Sequence, residues 1–135
     1  MTDRKWRPGD RVDWDRPGNL TTAGGLHAFV LETVGARSGA RRHAVLGYLE
    51  EPDGWLVIGS KGGAEGNPAW VHNLAAQPDA TVTLGHRERI EVRAEPLKGE
   101  QLDAAWERIA TEASEYVPYR SSTSRAIPVI RLRRR

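Results

Sequence analysis

The stretch AVLGYLEEPDGWLVIGS at residues 44–60 decides the fold class. Two apolar runs, residues 44–49 and 55–58, flank the tripeptide Pro52-Asp53-Gly54. Proline fixes its own φ and glycine accepts a positive φ, so this tripeptide is typical of a tight turn. The stretch therefore predicts a β-hairpin.

Further strands are predicted on both sides of this hairpin. An apolar, β-branched run begins at residue 28 and ends at Gly35, and a last strand covers residues 127–132. Residues 81–84 and the alternation Ile90, Val92, Ala94 flank the Gly85-His86 turn and predict a second hairpin.

Two helices are predicted beside the strands. Asn67 can cap a helix that has Pro68 at its first position and stops before Pro78. A second helix covers residues 100–114, where four apolar residues recur at three- and four-residue steps: Leu102, Trp106, Ile109 and Ala113. Five or six short strands with two helices favour a mainly β (α+β) fold, an antiparallel barrel or meander with the helices packed outside.

Composition limits the classes of function. A chain of 135 residues, 39% apolar and 28% charged, is typical of one globular domain. It contains no cysteine, which excludes disulfides, thiolate nucleophiles, cysteine zinc sites and iron–sulfur clusters. Residues 1–15 hold no apolar stretch that could act as a secretory signal or membrane span. The net charge of +2 depends on four arginines within residues 131–135; a solvated end is the favoured reading, and contact with nucleic acid or an anionic membrane is the alternative.

A basic loop is predicted between the first two strands. Residues 35–42, GARSGARR, hold three arginines, one hydroxyl and no acid. Glycines let main-chain amides approach an anion, and arginines offer paired donors to phosphate or carboxylate. A charged flexible turn is the alternative reading.

A second loop leads into the first helix. Ser60-Lys61-Gly62-Gly63 comes just before it, and a helix start favours anions. Trp70 and Asn73 are three residues apart and share one face, which suits a flat heteroaromatic ligand, although Trp70 alone also fits a core position. Tyr116 and Tyr119 could line a pocket mouth or cap the core. The histidines lack the spacing of a metal site, and none is predicted.

Taken together, these segments resemble the deazaflavin-dependent nitroreductase family. Residues 33–46, TVGARSGARRHAVL, resemble its Thr-x-Gly-x-x-(Ser/Thr)-Gly-x-x-Arg segment, and residues 60–74, SKGGAEGNPAWVHNL, resemble its second signature. The resemblance runs from about residue 26 to residue 132. Its closing pattern is matched by Tyr116, Tyr119, Thr123, Arg125, Ile127 and Pro128.

The resemblance implies a split β-barrel that binds coenzyme F420, a deazaflavin with a phosphate and an oligoglutamate tail. It divides the chain into an irregular arm (residues 1–25), a deazaflavin-binding barrel (26–132) and a basic tail (133–135). The phosphate and tail would be held by Arg37, Ser38, Gly39 and Arg42. The ring or its linker would be bordered by Leu46, Ser60, Lys61, Gly62, Gly63, Trp70 and Asn73.

The implied activity is hydride transfer from reduced F420 to a small organic acceptor, a quinone or a nitro compound. Candidate catalytic donors are Ser60, Tyr116 and Tyr119. The chain departs from the family at four positions: Ala36 replaces a residue that is often basic, Arg41 and Val45 stand where proline is common, and Ala113 stands where the nitroimidazole-reducing member has tyrosine.

Two other functions stay open from the sequence. One is a split-barrel oxidoreductase that uses FMN, which also has a phosphate and a flat ring. The other is a coenzyme-binding protein without enzymatic activity. The expected partner is a small-molecule acceptor rather than nucleic acid, and the expected location is the cytoplasm, with peripheral membrane contact through the arm left open.

Overall fold

The computed structural model describes residues 4–7, 10–22, 24–60, 66–85, 88–122 and 126–135. Helices and strands have the following bounds: β1 (Arg4–Lys5), β2 (Leu20–Thr21), β3 (His27–Val34), β4 (Arg41–Gly47), β5 (Leu49–Glu51), β6 (Gly54–Ile58), α1 (Ala69–Ala76), β7 (Asp79–Leu84), β8 (Glu88–Pro96), α2 (Gly99–Glu112), α3 (Val117–Ser122) and β9 (Val129–Arg134), with a 3-10 turn at Ser114–Tyr116.

The strands form one curled sheet in the order β1-β2-β3-β7-β8-β9-β6-β5, with β4 on the other edge of β3. Apart from the parallel pair β1 and β2, neighbours are antiparallel. β4 and β5 are two halves of one strand that is interrupted at Tyr48. Because β4 pairs with β3 and β5 pairs with β6, the two halves join opposite ends of the sheet. The predicted split β-barrel with helices outside is confirmed.

A first apolar cluster fills the barrel. Alternate residues of the strands point inward, and α1 adds one apolar face to the same cluster. Its buried members are Phe29, Leu31, Trp55, Val57, Trp70, Val71, Leu74, Ala80, Val82, Val92, Ala94, Ile130 and Leu132.

A second apolar cluster lies on the outer face of β5, β6 and β9. The predicted face of α2 covers it, with Trp106, Ile109 and the following Ala113 buried and Leu102 packed at its edge. Tyr116 and Tyr119 pack against the same cluster. This amphipathic helix is thus held by burial of one face rather than by a side-chain cap, since its N-cap residue Lys98 makes no capping hydrogen bond.

The predicted hairpin of residues 44–60 is only half right. The turn is where it was expected, because β5 and β6 pair across residues 52–53. A Cβ at Gly54 would collide with the main-chain oxygen of Leu132, so the close approach of β9 requires glycine there. The prediction failed for residues 44–47, which pair with β3 instead.

The helices also differ in detail from the prediction. α1 begins at Ala69, which places Pro68 rather than Asn67 at the cap position. α2 ends at Glu112, and the chain then continues through the 3-10 turn into α3, which was not predicted. Proline at position 118 lies in the first turn of α3, where its missing N–H is tolerated.

Both ends of the chain join the sheet. Within residues 1–25, predicted to be irregular, β1 and β2 extend the sheet from β3. At the other end, β9 runs two residues beyond the predicted strand, to Arg134. The basic residues there are paired: Arg133 with Glu95 at 3.2 Å and Arg135 with Asp79 at 3.3 Å. Among the described residues, no helix is long and apolar enough to cross a membrane.

Candidate functional site

The loop between β3 and β4, residues 35–40, has a defined main-chain path. The N–H of Gly35 donates to the oxygen of Ala40 at 2.7 Å, and the N–H of Gly39 donates to the oxygen of Gly35 at 2.9 Å. Gly39 has a φ of 71°, in the left-handed region that favours glycine. The hydroxyl of Ser38 accepts from the N–H of Ala40 at 3.1 Å. The loop is thus hydrogen-bonded within itself. We call residues 35–42 the arginine loop.

A buried asparagine fastens the arginine loop to α1. The Oδ1 of Asn73 accepts from the N–H of Ala36 at 2.9 Å, and its Nδ2 donates to the hydroxyl of Thr33 at 3.1 Å. Asn73 is 6% exposed and Thr33 is 2% exposed. The hydrogen bond to Thr33 is therefore buried, where leaving a partner unsatisfied is costly, and the bond to Ala36 is partly buried. Asn73 acts as a clamp between helix and loop.

An open groove of about 930 Å³ lies between the arginine loop, the start of β4 and α1. This volume is within the range of small-molecule and cofactor sites. The groove is lined by Thr33, Gly35, Ala36, Arg37, Ser38, Arg42, His43, Ala44, Ala69, Trp70, His72, Asn73, Ala75 and Ala76.

The groove is positively charged. Arg37 and Arg42 line it and are exposed, and within the described chain neither has a carboxylate partner. Among the described residues, the guanidinium of Arg42 donates one hydrogen bond, to the hydroxyl of Ser38 at 3.4 Å. No aspartate or glutamate is among the lining residues. Two guanidinium groups with free donors can hold a phosphate or a carboxylate.

Trp70 forms an apolar wall of the same groove. It is 8% exposed, so most of its ring is buried in the barrel cluster while one part faces the groove. Trp70 is thus a core residue that also lines the groove. A flat apolar surface beside anion donors fits a ligand that has a phosphate at one end and an aromatic ring at the other.

The other predicted site residues are placed as follows. Leu46 packs against the barrel cluster from β4, and Gly39 belongs to the arginine loop without lining the groove. Ser60 is 7% exposed, just after β6. Lys61, Gly62 and Gly63 lie outside the described residues.

The two candidate tyrosines lie on the second cluster and are not among the residues that line the groove. Their rings meet edge to face with centroids 5.9 Å apart. Burial, followed by the charges of Glu115 and Tyr119, raises the pKa of Tyr116 to about 12. The phenol of Tyr116 thus stays neutral over a wider pH range than an ordinary tyrosine.

We expect Tyr116 to ionise late in an alkaline titration followed by phenolate absorbance. Its pKa of about 12 in the folded chain lies above the ordinary tyrosine value of 10.0. Its contribution to the free energy of unfolding is therefore complete below pH 10 and is lost as the pH rises toward 12, by about 3 kcal/mol. Tyr116→Phe should remove the late step and flatten this part of the stability curve. A Tyr116 step close to 10 would show that the phenol is not buried.

Some groove features were not predicted from the sequence. Asn73 was expected to border the ring, but its amide is engaged by the arginine loop. His43 and Trp14 stack with ring centroids 4.8 Å apart and an interplanar angle of 6°. The Nε2 of His43 also contacts the Oε2 of Glu32 at 3.0 Å. No local pattern could reveal a contact between residues so distant along the chain.

Comparison with known proteins gives consistent matches. A family model described as F420H2-dependent quinone reductase matches residues 15–133. An F420H2-dependent quinone reductase of Mycobacterium tuberculosis strain H37Rv is 38% identical over 111 residues, which cover 80% of this chain and 74% of the relative.

Two solved structures have the same fold. One, an F420-H2 dependent reductase, is 29% identical with a TM-score of 0.69 and is matched over 78% of this chain and 92% of its own. The other, described as a domain-swapped dimer, has the same identity and TM-score and is matched over 78% of both chains.

Proposed function

The chain belongs to the F420H2-dependent quinone reductase family, and on this premise we propose that it transfers a hydride from reduced F420 to a quinone. The observation that carries the proposal is the groove itself, in which Arg37 and Arg42 have no carboxylate partner among the described residues and Trp70 forms an apolar wall. This chemistry fits an anionic coenzyme with a flat ring. Nitro compounds, the other class of acceptor, are tested by whether they oxidise reduced F420 in the presence of the protein.

Within the groove, Arg37, Ser38 and Arg42 hold the phosphate and the glutamate tail, and Gly39 keeps the loop in the required conformation. Trp70, which lines the groove, borders the ring or its linker. Leu46, which packs against the barrel cluster and is not among the lining residues, is assigned to the same part of the coenzyme on the family pattern. Lys61, Gly62 and Gly63, proposed for the ring end on the family pattern, complete the set together with Ser60. Asn73 contributes by holding the arginine loop in place.

The reduced coenzyme supplies the hydride when bound, so the chain needs no nucleophile of its own. Its residues orient the two reactants. Fixing two reactants in reacting geometry can lower a barrier by roughly 7–11 kcal/mol. The arginine loop, which is hydrogen-bonded internally and clamped to α1, is suited to that positioning.

Ser60, a candidate donor, lies just after the end of β6 and is not among the residues that line the groove. The preceding Gly59 donates its N–H to the oxygen of Pro128 at 2.9 Å, and a Cβ at Gly59 would lie 3.0 Å from Cγ2 of Val71. The end of β6 therefore packs tightly against the helix that bears Trp70. We propose that the Ser60 hydroxyl stabilises the charge that arrives on the acceptor.

Ser60→Ala should lower kcat about 10- to 100-fold while the Kd for F420 changes little, because a donor aimed at the acceptor acts on the transition state. Steady-state kinetics and a coenzyme titration measure the two quantities separately. Ser114→Ala, in the exposed 3-10 turn, is the matched control. An unchanged kcat in Ser60→Ala would contradict this role for Ser60. The remaining candidate donors would be Tyr116 and Tyr119, which their phenylalanine variants would test.

The coenzyme assignment is tested by titrating the protein with oxidised F420, FMN and NADPH in parallel and following fluorescence. We expect saturable binding of F420 and much weaker binding of FMN, since the glutamate tail adds carboxylates for the two arginines. A preference for FMN would support an FMN-type split-barrel enzyme instead.

For the location of the reaction, we propose peripheral contact between the arm and a membrane that contains the quinone. Trp14 is 41% exposed beside His43. Arg11 and Arg16 alternate with the exposed Asp10, Asp13 and Asp15, so the exposed indole rather than net charge carries this proposal. Tryptophan is enriched at the interface between lipid headgroups and water. Sedimentation with quinone-containing vesicles should carry the protein down and be weakened by Trp14→Ala; no sedimentation of the unaltered protein would overturn the proposal.

A further inference from the structure

Strand β4 has one free edge. It pairs with β3 over its whole length, from Arg41 to Gly47, and the described residues place no strand on its other side. The residues at the start of this strand line the groove, so its free edge faces the ligand space. A free strand edge presents main-chain N–H and C=O groups in a row.

The phase of the ladder shows which groups face outward. The N–H of Gly35 donates to Ala40, and the N–H of Tyr48 donates to the oxygen of His27 at 3.1 Å. Directly opposed residues in an antiparallel pair alternate between hydrogen-bonded and non-hydrogen-bonded pairs. The two bonds belong to opposed pairs at either end of the ladder, Gly35–Ala40 and His27–Tyr48. Every second pair between them, such as Thr33–Arg42 and Leu31–Ala44, is therefore hydrogen-bonded. The pair that lies between those two, Glu32–His43, is non-hydrogen-bonded. The N–H and C=O of His43 therefore point away from β3.

The imidazole of His43 is held on the other face of the sheet. Its partner Glu32 neighbours Thr33 along β3, so the two side chains lie on opposite faces, and Thr33 is the one that lines the groove. The carboxylate of Glu32 holds Nε2 of His43 at 3.0 Å, and Trp14 stacks on the ring. His43 thus contributes its main chain to the groove.

The position of His43 along the strand indicates which part of the coenzyme its main chain contacts. Arg42, a proposed phosphate ligand, precedes it, and Leu46, proposed for the ring, follows three residues later. At about 3.4 Å per residue, the distance along the strand from Arg42 to Leu46 is roughly 14 Å. His43 lies between these ends, where the small side chain of Ala44 leaves room.

We propose that the main-chain N–H and C=O of His43 hydrogen-bond the hydroxylated linker that joins the phosphate of F420 to its ring. A hydroxyl both donates and accepts, so a chain of hydroxyls matches an outward N–H and C=O on one residue. The proposal rests on the proposed function and specifies how the same groove binds the linker between the phosphate and the ring of the coenzyme.

The test compares His43→Pro with His43→Ala. Both variants remove the imidazole, but only proline removes the N–H, and the N–H of an outward-facing edge residue is not part of the ladder. Two deazaflavins without phosphate serve as probes: one with the natural ribityl chain and one with an unhydroxylated pentyl chain. His43→Pro should bind the ribityl compound about 5- to 10-fold more weakly than His43→Ala does, with equal affinities for the pentyl compound.

Equal weakening for both compounds, or none for either, would overturn the proposal. Should His43→Pro fail to fold, the amide resonance of His43 in the unaltered protein gives a second measurement. It should move downfield with the ribityl compound and stay in place with the pentyl compound; the same response to both would also overturn the proposal. If the unaltered protein bound no F420 in the parallel titration, the proposed function itself would fail, which is a distinct result.

Discussion

Replacing Arg37 and Arg42 together with alanine is expected to weaken F420 binding by at least about 100-fold. Hydrogen bonds to charged groups contribute about 1.5–3 kcal/mol each, and the two guanidinium groups are the groove's unpaired cations among the described residues. The fold should survive, because both side chains are exposed and only the 3.4 Å contact with Ser38 is lost. Fluorescence titration measures the affinity, and thermal unfolding checks the fold.

The matched control is Arg108→Ala with Arg133→Ala, which removes the same charge elsewhere. Arg108 contacts Glu112 on α2 and Arg133 contacts Glu95 on β8, and neither lines the groove. The control should keep the affinity for F420 within about threefold, since exposed pairs are worth little. Equal weakening in both double variants would show that net charge, rather than the groove, attracts the coenzyme.

Asn73→Leu is expected to destabilise the fold and to weaken coenzyme binding at the same time. Leucine has a similar volume but leaves the N–H of Ala36 and the hydroxyl of Thr33 without their partner. An unsatisfied buried group costs about 1–3 kcal/mol, and of these two only the Thr33 hydroxyl is fully buried, so the free energy of unfolding should fall by about 1–3 kcal/mol. The arginine loop would then no longer be fixed to α1, so Arg37 and Arg42 would not be held in place to bind the coenzyme.

Asn73→Asp separates the two effects. The carboxylate still accepts from Ala36 and can accept from the hydroxyl of Thr33, so part of the stability should return, reduced by the cost of burying a charge. The added negative charge in a groove that binds an anion should still weaken F420 binding, by about 10-fold or more. Chemical denaturation and coenzyme titration of both variants measure this split. An Asn73→Leu variant with unaltered stability and affinity would show that the loop needs no clamp.

Local chemistry made part of the site predictable. Glycine, serine and arginine between two apolar runs predict an anion-binding loop, because each residue type acts through its own main chain or side chain. Trp70 and Asn73 share a helix face by their spacing alone. The groove brings these elements together, with Asn73 on the wall beside the arginine loop.

The parts of the fold that depend on pairing between distant residues could not be predicted from the sequence. Residues 44–49 appear as one apolar run, and nothing local shows that the strand is interrupted at Tyr48, with one half on β3 and the other on β6. The register also explains why two departures from the family pattern are tolerated. Arg41 and Val45 lie two residues before and after His43, so their N–H groups also point away from β3 and make no hydrogen bond to it. Proline, which has no N–H, and other residues therefore fit equally well at these two positions.

The most direct test of the central claim is the anaerobic oxidation of reduced F420 by a soluble quinone, followed by the return of the oxidised coenzyme's absorbance. We predict turnover that requires protein, reduced F420 and quinone together, and that is lost in the Arg37→Ala, Arg42→Ala double variant at coenzyme concentrations that saturate the unaltered protein. Tight binding of F420 with no oxidation by any quinone would contradict the account and identify a protein that binds the coenzyme without using it.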